Sequence, residues 1–162
     1  MRRFAEPMEP GTPSYVAIAR HPVHAMLVTF PIAFLISLLG SDLAYLYLRD
    51  EFWARLSLWL AGGGAAMGIL AGLSGAVEVL AIRRIRMRVA AWDHFVLAVM
   101  MLAVAVANWG IRVNNPLDAI WPWGVYLSGL GFLLVSGAGW LGGALVFEHK
   151  VGTEKFEKSP EV

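Results

Sequence analysis

The chain contains no cysteine. That removes disulfides, iron-sulfur clusters and thiolate metal sites, and it leaves the redox character of the compartment unreadable. Charge is scarce as well, since 15% of the 162 residues are Asp, Glu, Lys or Arg and the formal net charge is only +1. Soluble domains carry roughly a quarter charged residues, so this composition is poorly suited to a surface facing water. Several catalytic signatures are missing too. With no GxxxxGK[ST] phosphate loop, GxSxG elbow, HExxH or CxxC, nucleotide hydrolysis, serine-hydrolase chemistry and zincin-type proteolysis lack a motif.

What the chain has is apolar surface: 58% hydrophobic residues and a mean hydropathy of +0.62. These residues gather in blocks at about 23–48, 53–82, 91–113 and 121–147, each close to the ~20 residues that a helix needs to cross about 30 Å of hydrocarbon. A membrane β-barrel would alternate apolar and polar positions, and LAVMMLAVAVA does not. The expected fold is all-α, a transmembrane four-helix bundle over residues 21–149. A cytoplasmic leader (1–20) precedes it and a mobile, mixed-charge tail (150–162) follows. The leader has three prolines and no long apolar core, so the first helix is expected to act as its own uncleaved signal.

Charge placement gives an expected orientation. Arg2, Arg3, Arg20, Arg83, Arg84, Arg86, Arg88, Lys150, Lys155 and Lys158 fall on one side of the four blocks, against Arg49, Arg55 and Arg112 on the other. Positive residues favour the cytoplasmic face, so both termini and the RRIRMR loop are expected there. That loop also reads as an anionic-lipid or nucleic-acid patch, but a basic run between membrane helices is first a topology signal, and no nucleic-acid partner is expected. Tyr45, Tyr47, Phe52, Trp53, Trp121 and Trp123 supply an aromatic belt on the far side.

In this topology all four histidines, His21, His24, His94 and His149, lie at one membrane level, and Glu78 lies near it. Helical spacing would place His21 and His24 on one face, with Pro22 in the first turn. Neutral imidazole is the commonest metal ligand and an axial ligand of haem iron, so the five residues form a candidate ligand set. The plainer alternative is that interfacial histidines are simply tolerated and that Glu78 pairs with a loop arginine. Asp42 is expected to pair with Arg112 or Arg49, and Asn108 to hydrogen-bond across the bundle. The glycines Gly64, Gly68, Gly72 and Gly75, with Gly139 and Gly143, fit close helix packing and would also leave flat space beside a porphyrin. Scattered methionines such as Met87, Met100 and Met101 read as apolar fill.

HPVHAMLVTFPIAFL, AGGGAAMGILAGLSGAVEVL, DHFVLAVMMLAVAVANWGIR and GWLGGALVFEHKVGT together resemble the bacterial membrane proteins of domain-of-unknown-function family 2231, over roughly residues 20 to 153. The resemblance implies four transmembrane helices in the bacterial inner (cytoplasmic) membrane. It also implies family histidines at His21, His24, His94 and His149, an acid at Glu78, and glycines at Gly142 and Gly143. Aspartate is usual where this chain has Glu78. Relatives fused to or neighbouring redox modules, including Rieske-type and quinoprotein domains, imply electron transfer.

The leading expectation is therefore a redox module with a histidine-ligated centre near the cytoplasmic face, a b-type haem, passing electrons between a quinone pool and a redox protein partner. In that expectation His21 or His24 pairs with His94 or His149, and Glu78 orients a ligand. One alternative is a single Zn, Cu or Fe ion held by the same His and Glu residues. Another is a non-catalytic subunit or assembly factor of a larger membrane complex, with a homo-oligomer formed through the glycine stripes. Whether the chain is an enzyme does not follow from its sequence.

Overall fold

The computed structural model describes residues 11–19 and 21–154. Arg2, Arg3, Arg20, Lys155 and Lys158 of the charge count, with the rest of the outer leader and tail, lie outside the described residues. Four helices are each long and apolar enough to cross a membrane: α1 (Val23–Leu48), α2 (Glu51–Ala81), α3 (Val89–Arg112) and α4 (Ile120–Phe147). Their bounds follow the four apolar blocks to within about two residues, because the same lack of polar residues that defines a block defines a span.

Local chemistry explains the interruptions. Helix α1 has a one-residue break at Val28, where the Pro31 ring opposes the Leu27 carbonyl and supplies no N–H to it. Arg49 ends the helix in a left-handed conformation (φ 57°, ψ 21°), its N–H bonded to the Tyr45 carbonyl. Asp50 then starts α2 by accepting the Phe52 N–H at 2.9 Å, as a good N-cap residue does. A two-residue connection thus turns the chain back on itself. A four-residue turn of helix, Arg83–Arg86, joins α2 to α3.

The helices form two hairpins, α1–α2 and α3–α4, and the bundle closes through α2 against α3 and α4 against α1. Leu35, Leu38, Ala61, Ala65, Met101, Ala105, Leu134 and Val135 fill its centre. Glycine permits the close approach: a Cβ at Gly64 would stand 2.9 Å from Leu35 Cδ2. The outer surface is apolar, with Trp140 82% and Leu133 67% exposed, as lipid-facing positions of a bundle are.

One end of the bundle carries both flanks. Strand β1 (Thr12–Pro13) pairs in parallel with β4 (Val151–Glu154), and β2 (Ala17–Ile18) pairs antiparallel with β3 (His21–Pro22). The tail expected to be mobile from residue 150 therefore begins with a paired strand. The opposite end holds a buried polar network. Arg112 makes a two-pronged ion pair with Asp42, at 2.9 and 2.8 Å, with both side chains fully buried. Asn108 accepts from Arg112 and donates to Ser128, and Ser128 donates to Asp42. The expected Asp42–Arg112 pairing and the cross-bundle bond of Asn108 are both present.

Candidate functional site

Two of the four histidines meet. His24 is in the first turns of α1, and its Nδ1 lies 2.8 Å from the Ala71 carbonyl oxygen of α2. His94 is in the first turns of α3, and its Nδ1 lies 3.0 Å from the Ala138 carbonyl oxygen of α4. A carbonyl oxygen only accepts, so each Nδ1 carries a proton, and in the neutral ring each Nε2 then keeps its lone pair. The hydrogen bonds also fix ring orientation, as backbone partners of ligating imidazoles do. No hydrogen bond to either Nε2 occurs among the described residues. The ring centroids are 6.1 Å apart and the planes are nearly perpendicular, at 86°.

The rings fit because glycine makes room. One helical turn after each anchoring carbonyl comes Gly75 or Gly142, and the histidine occupies the space where a side chain would be. A Cβ at Gly75 would stand 2.8 Å from the His24 ring, and one at Gly142 would stand 3.2 Å from the His94 ring. The two hairpins thus repeat one construction, with AGLSG (71–75) in α2 and AGWLG (138–142) in α4. The match extends to the far end: Asp42 follows His24 by 18 residues, and Arg112 follows His94 by 18. Eighteen residues are about five helical turns, so each charged residue shares a face with its histidine.

The other expected site residues are elsewhere. His21 is exposed on β3, with Nδ1 3.0 Å from the Ala19 carbonyl. It precedes the helix, for which Pro22 is the N-cap, so the helical spacing to His24 does not operate. His149 lies just past α4, where Arg88 donates to its Nδ1 at 3.1 Å. Glu78 is buried and holds the leader, accepting the Ser14 hydroxyl and the Tyr15 and Val16 N–H groups. Among the described residues no cluster of three or more His, Cys, Asp or Glu side chains is placed to hold a metal ion.

A family model described as a predicted membrane protein, DUF2231, matches residues 20–155. The chain belongs to DUF2231. No curated protein and no solved structure matches it. For this DUF2231 member, the four-helix expectation holds and the expected five-residue cluster resolves into one histidine pair. Sequence reasoning missed the two alanine carbonyls, which as backbone groups leave no residue-type signature. The recurrent AGxxG and the equal His-to-charge spacing were the available signals.

Proposed function

We propose that this chain is a redox module of the bacterial cytoplasmic membrane that holds a b-type haem between His24 and His94. The observation that carries the reading is the pair itself: two imidazoles from different hairpins, each with Nδ1 anchored and Nε2 left with its lone pair. Two imidazoles that shared one metal would need their rings about 6 Å apart or closer, and the His24 and His94 ring centroids are 6.1 Å apart. A bare zinc, copper or iron ion needs further protein ligands, and the described residues supply no third one. A haem would need only two protein ligands, and His24 and His94 would hold it. Bare helix surface lies nearby on α4, since a Cβ at Gly139 or Gly143 meets nothing within 4 Å.

When bound, the haem supplies one-electron exchange. The protein's share would be ligation and placement: His24 and His94 would donate their Nε2 lone pairs, with Ala71 and Ala138 holding the tautomer. Glu78 acts on the leader instead of orienting a ligand. The basic Arg83–Arg86 turn lies at the same end of the bundle as the pair, which supports a cytoplasmic location for the site and for both termini. Electrons would pass between the quinone pool and a redox protein at that face. The test is a reduced-minus-oxidised absorption spectrum of detergent-purified full chain, with elemental analysis of the same sample. A reducible Soret and α band with stoichiometric iron is expected. Stoichiometric metal without those bands would replace haem by a bare ion, and a sample with neither would replace the redox reading by a docking subunit.

A further inference from the structure

The turn between α2 and α3 carries chemistry that the histidine pair does not use. Arg83, Arg84, Met87 and Arg88 line a shallow, open depression of about 380 Å³. Three of these four lining residues carry a guanidinium group, Arg83 and Arg84 in the helical turn and Arg88 in the extended residue just after it. The frame beneath them is fixed: Ile85 is buried with Ala91 and Leu145, and successive backbone bonds run from Ile85, Arg86, Met87 and Arg88 back into the turn.

Among the described residues no carboxylate lies within ion-pair distance of the three arginines. Arg84 makes one long contact, 3.5 Å, to the Gly11 carbonyl, and Arg88 is bonded to the His149 ring. Apolar side chains flank the cluster, with Leu80, Met87 and Val89 all exposed. Trp92 donates its indole N–H to the Arg86 carbonyl, as an interfacial tryptophan with one wet and one apolar side does. A free phosphate would use only the guanidinium forks. A phospholipid would use the forks and the exposed apolar flank together.

We propose that the Arg83–Arg88 turn is a binding site for an anionic phospholipid, with Arg83 and Arg84 on the headgroup phosphodiester and Met87 and Val89 along the acyl chains. This assignment is independent of what the histidines hold.

The experiment uses the full chain in phosphatidylcholine vesicles containing phosphatidylglycerol, with one lipid or the other brominated on its acyl chains. Trp92 emission is isolated by difference from Trp92→Phe. Brominated phosphatidylglycerol is expected to quench it at lower mole fraction than brominated phosphatidylcholine, by about fivefold for each arginine engaged. The preference is expected to vanish in Arg83→Gln/Arg84→Gln. It should shrink in Arg83→Lys/Arg84→Lys, which keeps the charge that sets topology but loses the planar fork. Equal quenching by the two lipids overturns the proposal, as does a preference that survives in the folded Gln variant. If that variant does not fold, the Lys variant decides, and an unchanged preference there assigns the effect to diffuse charge and overturns the site. Excess inorganic phosphate is expected to leave the preference intact. Its abolition by phosphate would assign the depression to the free anion and overturn the lipid.

Discussion

Asp42 and Arg112 place a full ion pair where lipid surrounds the helices, and its cost is offset only because every prong is bonded. Removing one partner leaves a buried charge uncompensated, which typically costs about 3–5 kcal/mol. Asp42→Ala is therefore expected to lower stability by about that amount in detergent unfolding. Asp42→Arg combined with Arg112→Asp is expected to recover much of it. A melting curve for Asp42→Ala that overlays the parent's would show that the pair contributes no net stability. Glu78 works at the other end as an acceptor for three donors from the leader. In Glu78→Ala the amides of Tyr15 and Val16 should exchange with solvent faster, while any cofactor spectrum stays unchanged. Unchanged exchange at those two amides would remove Glu78 as the leader's anchor.

The helices differ in which glycines they depend on. Gly75 faces the His24 ring, whereas Gly72, three residues earlier on α2, faces open space. Gly75→Ala should displace the ring and reduce the proposed haem occupancy severalfold, and Gly72→Ala should be nearly silent; measured haem content per chain distinguishes them. Equal effects would mean that the glycines act on α2 as a whole and not on the ring. This contrast also shows what the sequence conveys. The four spans were legible because a scarcity of polar residues over about twenty positions has few other meanings in a chain this apolar. Asp42 was legible because a carboxylate in that setting demands a partner. The role of Glu78 was not, because its donors are mainly backbone groups of a leader with no pattern of its own. His21 was misplaced by assuming helical spacing across Pro22, where the chain is still extended. His94 and His24 could be singled out only by the repeat that relates the hairpins, a signal spread over some seventy residues of sequence.

At the scale of the whole molecule, two similar hairpins meet with a histidine pair at one end and an opposite-charge pair at the other. The complementary Asp42 and Arg112 favour the first hairpin meeting the second, since two copies of the first hairpin would set Asp42 against Asp42. The absence of cysteine makes orientation directly measurable. Thr153→Cys and Asn114→Cys, both at exposed positions, are expected to react with an impermeant thiol reagent from opposite sides of the membrane, Thr153→Cys from the cytoplasm. Labelling of both from one side would contradict the four-span topology. The central claim is that His24 and His94, and no other histidines, hold the centre. Its most direct test is the reduced-minus-oxidised spectrum of the four single His→Ala chains beside the parent. A haem α band is expected in the parent, His21→Ala and His149→Ala, and is expected to be lost in His24→Ala and His94→Ala. A band that survives in either of the last two folded variants would contradict the claim.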